Sequence, residues 1–264
     1  MRDPLSSDAP TGDGPSRPFA DGSDQPAWRL HVAGRVHYRP MQPRDLPFVV
    51  GQHLYHFPDG FFARLGTRFL TEYYRAFLTG SAARTIIAEI DGAPAGYLVG
   101  VTDPAAHREH VVQRHGRALV LKAVAAMLRR PSLGYCFVRT RAGLYARKLL
   151  RRRRAHPPAP LTPTPSGGAT AVLTHVAVTA GTQSHGIGST LISRFEEQVA
   201  AVGCDRLTLV TASGEDGAGP YYRRRGWEAL GERRTPDGLR LTTYERPVRT
   251  HGEPDQRTGS EDTA

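Results

Sequence analysis

The chain has 264 residues, 39% of them apolar and 23% charged, which allows one large domain or two small ones around a packed core. Two cysteines are too few for a disulfide scaffold or a four-thiolate zinc site. There is no apolar run of membrane-spanning length and no basic-then-apolar leader, so we expect a cytoplasmic protein. The net charge of +10 raises the question of an anionic partner.

Three segments have compositions that do not favour a packed structure. Residues 1–28 and 248–264 are rich in Pro, Asp and Ser or in charge, and we predict disordered tails. Residues 155–169 contain five prolines and predict a semi-rigid linker. The sequence therefore predicts one domain over residues 29–247.

The first half of this domain has readable periodicities. A β-branched and polar stretch predicts a short strand, and Asp45 precedes an apolar stretch as a helix cap would. Asp91-Gly92 between two apolar runs predicts a β-hairpin. In chain order we predict a strand over 35–39, a helix from Leu46, a helix over 61–78 with Phe62, Leu65, Phe69 and Tyr73 on one face, and hairpin strands over 84–90 and 95–101.

Residues 105–154 hold most of the positive charge, with 14 basic residues against one acid, Glu109. We predict an inserted helical hairpin broken near Arg130-Pro131, with one apolar stripe at Val120, Val124 and Met127 and another at Val138, Ala142, Tyr145 and Leu149. Three interpretations stay open: a hairpin packed on the core with solvated arginines, a site for an anionic substrate or membrane surface, and a nucleic-acid site. Nucleic acid is disfavoured because aromatic residues are not interleaved with the basic ones.

The second half alternates strands and helices. We predict strands over 171–178, 206–211, 227–230 and 240–245, a helix from Ile187 that ends at Gly203, and a short helix over 218–225. Together with the first half this gives an α/β (α+β) fold with a mixed sheet, because the strands and helices do not alternate in a regular βαβ repeat.

The most informative segment is the loop between strand 171–178 and the following helix. Glycines at a helix start let the backbone approach a ligand, and the free N–H groups there bind pyrophosphate. A Walker loop needs Lys and Ser or Thr after its last glycine, but Ile187 and Gly188 follow Gly186. A dinucleotide fingerprint needs a glycine where Leu191 stands. The remaining pattern is Q-x-x-G-x-G, from Gln183 to Gly188, which is typical of a coenzyme A pyrophosphate loop.

With its neighbours this loop resembles the GNAT superfamily of acyl-CoA-dependent N-acetyltransferases. The strand before it ends His175-Val176-Ala177-Val178, and residues 218–227 (AGPYYRRRGW) resemble the family's A-x-x-x-Y-x-x-x-G-F/W. The resemblance covers about residues 33–102 and 170–247. It implies a mixed, mostly antiparallel sheet flanked by helices, acetyl-CoA as cosubstrate, no metal, and a small-molecule or peptide amine as acceptor.

The resemblance also implies roles for individual residues. Tyr222 matches the tyrosine that protonates the departing CoA thiolate, although an aromatic residue filling the helix–sheet core would have the same spacing. Glu215 stands where many members have Asn, so a pantetheine contact is in doubt and Ser213 could replace it. The residues expected to bind the cosubstrate are Val176, Ala177, Val178, Gln183, Ser184, His185, Gly186, Ile187, Gly188 and Ser189.

The general base is open at the level of sequence. His175 lies beside the expected thioester and its ordinary pKa of about 6.5 suits the role, but it could equally be a packed strand histidine. Glu89 on the hairpin is a second candidate. His107, His110 and His115 do not have the H-E-x-x-H spacing of a zinc site, and we predict a solvated helix face there.

One competing class of function remains. A non-catalytic module with a coenzyme A fold could use the basic hairpin to bind an anionic membrane or another polyanion. In that case the protein would be peripheral at a membrane.

Overall fold

The computed structural model describes residues 35–137, 169–214, 217–235 and 238–248, and these contain one seven-stranded sheet. Its strands are β1 (Val36–Pro40), β2 (Ala83–Ile90), β3 (Ala93–Val101), β4 (Thr170–Val178), β5 (Arg206–Ala212), β6 (Glu228–Arg234) and β7 (Arg240–Pro247). Their order in the sheet is β1-β2-β3-β4-β5-β7-β6, and only β4 and β5 are parallel. The predicted mixed, mostly antiparallel sheet is confirmed.

Helices cover both faces of the sheet. Along the chain they are α1 (Leu46–His56), α2 (Phe61–Leu65), α3 (Thr67–Thr79), α4 (Pro104–His110), α5 (Gly116–Arg129), α6 (Pro131–Phe137), α7 (Ile187–Ala201) and α8 (Gly219–Arg224). Helices α1 and α3 pack on one face of the central strands, and α7 packs on the other. Among the described residues, no helix combines the length and the apolar character that a membrane crossing requires.

The core on the α7 face follows the predicted helix stripe. Ile187, Leu191, Phe195 and Val199 are all buried and pack against strand residues such as Leu98, Leu173, Leu207 and Leu209. Phe195 lies directly on the backbone of β3, because a Cβ built on Gly100 would be 2.2 Å from its ring. The helix ends where expected, at Gly203, whose φ of +76° suits a helix C-terminus.

Two details of the first half differ from the prediction. The helix predicted over 61–78 is divided into α2 and α3 by Gly66, whose φ of +86° and ψ of 178° are incompatible with helix. Asp45 does not cap α1 with its side chain; its carboxylate accepts hydrogen bonds from Arg39 at 2.7 Å and from the Gln42 N–H. The Asp45 carboxylate therefore pairs with Arg39 of β1 and does not cap α1 as predicted. The hairpin turn at Asp91-Gly92 is confirmed, with positive φ at both residues.

Strand β4 separates from β5 halfway along its length. Residues Thr170–Leu173 pair with Arg206–Leu209, but beyond Leu173 the strand pairs only with β3. A bulge accompanies the separation: Gly100 lies opposite Leu173 and Val99 opposite His175, so Thr174 is an extra residue on β4. The parting strands open a cleft between β4 and β5.

Helices α4, α5 and α6 follow β3, and of these α4 and α5 pack beside α3. A π-helical turn, Val111–His115, joins α4 to α5. The predicted break at Arg130-Pro131 is confirmed, whereas the predicted stripe is wrong in part because Val120 and Val124 are exposed. Met127 does pack against the Leu65–Phe69 cluster, together with Leu119, Ala123 and Ala126. The stripe predicted for the second helix of the hairpin lies outside the described residues, as do the N-terminal tail, the C-terminal tail beyond Val248 and nearly all of the predicted linker.

The histidines of this region are not on a solvated face, contrary to the prediction. His115 is buried and its Nδ1 lies 2.8 Å from Glu72 of α3, while its Nε2 lies 2.8 Å from the Thr79 hydroxyl. His107 stacks on Phe77 with ring centroids 4.5 Å apart. Lys122 also pairs with Glu72. Burial raises the pKa of Glu72, but hydrogen bonds from Lys122 and His115 outweigh it and bring the pKa to about 2. The ionised Glu72 thus anchors the inserted helices to α3.

Candidate active site

The loop before α7 presents unpaired backbone donors. Ser184 and Gly186 have φ of +65° and +78°, which turn the chain sharply into the helix. Within the part of the chain that the structure describes, the N–H groups of Ile187, Gly188 and Ser189 have no protein acceptor, as is usual for a first helical turn. A Cβ on Gly188 would lie 3.5 Å from the Val178 side chain, so the helix start closely approaches the end of β4. This arrangement suits an anionic group.

Side chains from α8 and the segment after it add to this helix start. The Arg225 guanidinium donates to the Ser189 hydroxyl and lies over the Tyr221 ring, 4.9 Å from its centroid. The Tyr221 and Ser189 hydroxyls are 3.3 Å apart. Arg225 was not among the residues predicted from the sequence. It supplies a positive charge beside the free N–H groups, which adds to the suitability of this place for an anionic group.

Two polar side chains of the loop contact neighbouring backbone carbonyls. Gln183 donates from Nε2 to the Val178 carbonyl at 3.4 Å, and the His185 ring nitrogen Nδ1 lies 2.7 Å from the Gln183 carbonyl. Ser184 and His185 are exposed. Gln183 and His185 thus stabilise the loop through these contacts, and Ser184 contributes through its positive φ.

The cleft between β4 and β5 leads from this loop into the protein. Val176, Ala177 and Val178 pair with Leu98, Tyr97 and Gly96 of β3, and this half of β4 has no strand partner on its β5 side within the described residues. His56 of α1 reaches the end of the strand, with Nε2 3.1 Å from the Val178 carbonyl. Thr179, the next residue, has a buried hydroxyl without a hydrogen-bond partner in the described part of the chain. Backbone groups and one free hydroxyl are thus available along the cleft.

Tyr222 is buried on the α7 side of the sheet. Its ring packs against Trp227 and Tyr244, with centroids 5.6 and 6.0 Å away. No described residue bonds its hydroxyl, and the Trp227 indole nitrogen is buried without a partner as well. Burial raises the pKa of Tyr222, so the phenol stays protonated. A buried phenol that lacks a protein partner is available as a donor to a ligand.

His175 lies on the other face of the sheet, among aromatic side chains. Its Nε2 is 3.3 Å from the Tyr73 hydroxyl, and its ring is 4.9 Å from that of His53 and 5.6 Å from that of Phe57. Burial, together with the nearby His53, lowers the pKa of His175 to about 3. At neutral pH the ring is therefore uncharged.

A buried polar network beside His175 was missed at the level of sequence. His53 Nδ1 lies 2.7 Å from the Tyr74 hydroxyl, which is 2.9 Å from the Tyr97 hydroxyl. Burial lowers the pKa of His53 to about 4. The only sequence signal was a pair of histidines on the apolar helix α1 and adjacent tyrosines on α3, neither of which is diagnostic.

Two further predicted residues have other surroundings in the structure. Glu89 accepts hydrogen bonds from Arg39 at 2.9 and 2.6 Å, and this pairing lowers its pKa, so it is not a free base. It lies on β2 next to the edge strand β1, two strands away from β4. The Ser213 hydroxyl is 2.7 Å from that of Thr242 at the far end of β5. Glu215 lies outside the described residues. Within them, no three His, Cys, Asp or Glu side chains come together in a metal-binding arrangement.

Comparisons with known proteins agree with this architecture. A family model described as an acetyltransferase (GNAT) domain matches residues 166–247. Arabidopsis thaliana NAA60 in complex with a bisubstrate analogue aligns over 82% of this chain and 99% of its own, with 12% identity and a TM-score of 0.50. No curated protein matches the chain in sequence.

Two bacterial structures are similar as well. The ribosomal-protein-S18-alanine N-acetyltransferase of Escherichia coli is 14% identical over 83% of this chain and 97% of its own, with a TM-score of 0.47. An acetyltransferase from Thermus thermophilus is 16% identical over 81% and 97%, with a TM-score of 0.45. At these identities the likeness concerns the fold.

Proposed function

Because the chain belongs to the GNAT superfamily of acetyltransferases, whose acyl donor is acetyl-CoA, we propose that it transfers the acetyl group of acetyl-CoA to a primary amine. The observation that carries the proposal is the start of α7. There, three backbone N–H groups that no described residue accepts converge with the Arg225 side chain beside the cleft between β4 and β5. These donors match the charge of a coenzyme A pyrophosphate.

The binding residues divide into two groups. Ile187, Gly188 and Ser189 would hold the pyrophosphate through backbone N–H groups, on a loop shaped by Gln183, Ser184, His185 and Gly186. The backbone of Val176, Ala177 and Val178 would bind the pantetheine arm along the free side of β4. Both groups depend on backbone geometry, so substitutions that change φ at the loop should affect binding more than substitutions that change side-chain polarity.

The reaction needs a donor for the leaving thiolate. When the amine attacks the thioester carbonyl, the C–N bond forms, the C–S bond breaks and the sulfur takes up the electron pair. Tyr222 would act as the general acid, because its phenol is protonated and has no partner among the described residues. The raised pKa of Tyr222 makes proton transfer to a solvent-exposed thiolate unfavourable. Burial of the leaving group raises the pKa of the CoA thiol as well, which reduces this difference. The hydrogen bond from Tyr222 stabilises the sulfur before the proton moves.

The amine must also lose a proton. We propose His175 as its first acceptor, with the Tyr73 hydroxyl at 3.3 Å as the next group. With a pKa of about 3, His175 holds a proton only briefly, so its role is to relay the proton and not to store it. The wild-type kcat should then lack the low-pH limb near pH 6.5 that an ordinary histidine base gives, and His175→Gln should lower kcat.

The surface of the inserted helix α5 supports a second proposal, that the protein binds an anionic partner. Val120, Leu121 and Leu128 of α5 are 61%, 70% and 79% exposed, and the same helix carries the exposed Arg117 and Arg129. Apolar side chains between basic ones suit an anionic membrane surface or a substrate that bears phosphate. We propose that a cytoplasmic protein meets such a surface through α5. Co-sedimentation with phosphatidylcholine vesicles that contain phosphatidylserine, and not with vesicles that lack it, would support this.

The central experiment detects free CoA thiol while acetyl-CoA is incubated with a panel of amines. We expect turnover with at least one amine, and a higher melting temperature of the protein when CoA is bound. Tyr222→Phe should lower kcat by about 10²-fold with little change in the affinity for acetyl-CoA. Tyr55→Phe, at a tyrosine that is 67% exposed, is the matched control and should keep full activity.

Three outcomes would change the conclusion. If CoA neither binds nor is released with any amine, the proposed enzyme is refuted. If CoA binds but no amine is acetylated, the non-catalytic module described above is the better function. If Tyr222→Phe keeps full turnover, another group protonates the thiolate.

A further inference from the structure

A cavity of about 270 Å³ lies on the face of the sheet that carries α3, under the first inserted helix. Its floor is formed by Val172 and Thr174 of β4 together with Val101 at the end of β3. Tyr73 and Phe77 of α3 form one wall. The inserted α4 and the π-helical turn form the opposite wall, so the cavity exists only because these helices pack beside α3.

The lining gives the cavity its chemical character. Val111 and Pro104 of the inserted helices face Phe77 and the valines of the floor, so the inner surface is almost entirely apolar. Arg108 and His107 are the polar residues of the inserted wall, and Arg108 is exposed. The pKa of His107 is lowered, mainly by burial, which favours the uncharged ring. The apolar part of this surface suits an aliphatic or aromatic group of a ligand.

The cavity adjoins the reaction site. Thr174 in its floor is the bulged residue at which β4 leaves β5, and Tyr73 in its wall lies 3.3 Å from His175. The opposite face of β4 at this point is filled by the α7 core, in which Leu173 and Ile192 are buried. At this point of β4, the described residues therefore leave room for a substrate group on the α3 face.

We infer that this cavity binds an apolar group of the acceptor amine, so that the preferred acceptors are amines that carry an aliphatic or aromatic substituent. The inference rests on the proposed function. The acyl group does not fill the cavity, because an acetyl group ends one carbon beyond the carbonyl. The acceptor is the other reactant that approaches the carbonyl on this face.

The test measures acetylation of a series of linear alkylamines of increasing length, with acetyl-CoA fixed. In the wild type we expect kcat/KM to rise by about fourfold per added methylene until the cavity is full, because each buried methylene contributes about 0.8 kcal/mol. The Kd of each amine for the protein–CoA complex, measured by calorimetry, should follow the same trend. This second readout does not depend on turnover.

Two variants on the inserted segment provide the comparison. Val111→Phe adds a ring to the cavity wall and should flatten the series, whereas Val124→Phe, at an exposed position of α5, should leave it unchanged. CoA affinity should be the same in all three proteins.

A flat series in the wild type, with CoA binding intact, would overturn the inference and leave the proposed function standing. A parallel series with acetyl-, propionyl- and butyryl-CoA tests whether the cavity binds the acyl chain instead. If the rate depends on acyl length in the wild type and Val111→Phe abolishes that dependence, the inference is overturned as well. Absence of CoA binding in the wild type would instead refute the proposed function itself.

Discussion

The buried His53 should make the protein less stable in mildly acidic solution. In the unfolded chain a histidine has a pKa of about 6.5, whereas burial lowers the pKa of folded His53 to about 4. The unfolded state therefore binds a proton between these values and the folded state does not. The stability contribution of a neutral His53 is complete above the unfolded pKa, and it is lost as the pH falls toward about 4.

The size of the effect follows from these two values. From pH 7 to pH 5 the linkage relation gives a loss of about 2 kcal/mol in the free energy of unfolding for His53 alone. The side chain is only 3% exposed, so solvent screening is small. In a protein of this size the loss corresponds to a fall of about 4–8 °C in melting temperature. Carboxylates contribute little in this window, because the unfolded pKa values of Asp and Glu lie near 4.

Urea titrations at pH 7 and pH 5 measure the effect in the wild type and in His53→Gln. Gln keeps a polar partner for Tyr74 but does not titrate, so its loss of stability between the two pH values should be smaller by about 2 kcal/mol. His37→Gln is the control, since the His37 side chain is 72% exposed, and it should behave like the wild type. An equal loss in His53→Gln and the wild type would refute the assigned pKa.

Three further predictions concern the loop, the anchor of the inserted helices and the core. Gly186→Ala, at a φ of +78°, should weaken CoA binding by about tenfold through a backbone strain of about 1–2 kcal/mol, while Gly181→Ala should leave the Kd unchanged in the same calorimetric titration. Glu72→Gln should lower the free energy of unfolding in urea by about 1–3 kcal/mol, because it leaves the buried His115 and the Lys122 ammonium without their charged acceptor. An unchanged free energy of unfolding would contradict this. Gly100→Ala should cost about 1–3 kcal/mol by overpacking against Phe195, and a second change of Phe195→Leu should recover part of that loss.

The sequence predicted those features that depend on local patterns. The stripe of α7, the Asp91-Gly92 turn and the glycine-rich helix start each follow from the positions of a few residues. The order of strands and helices could be read for the same reason. The division of the second helix at Gly66 could have been found too, had the single glycine been weighed against the apolar stripe that runs across it.

Features that depend on distant partners could not be read from the sequence. Asp45 precedes a helix as a cap would, but Arg39 and the Gln42 N–H bind its carboxylate. His115 looks like one of several polar residues in a basic segment, yet it is buried against a glutamate 43 positions away. The lowered pKa of His175 likewise comes from the side chains of α1 and α3 around it.

The helices inserted between β3 and β4 also bear on how the protein folds. Strands β2 and β3 are joined by the two-residue Asp91-Gly92 turn, but pairing of β3 with β4 must close the connection over residues 102–169. That connection is roughly ten times longer than a common one of about six residues, and closing it costs about 2 kcal/mol more chain entropy. We expect the β2–β3 hairpin and the β4–β7 half to form separately, and the surroundings of His175, to which Tyr73 and His53 belong, to be complete only when the two halves join.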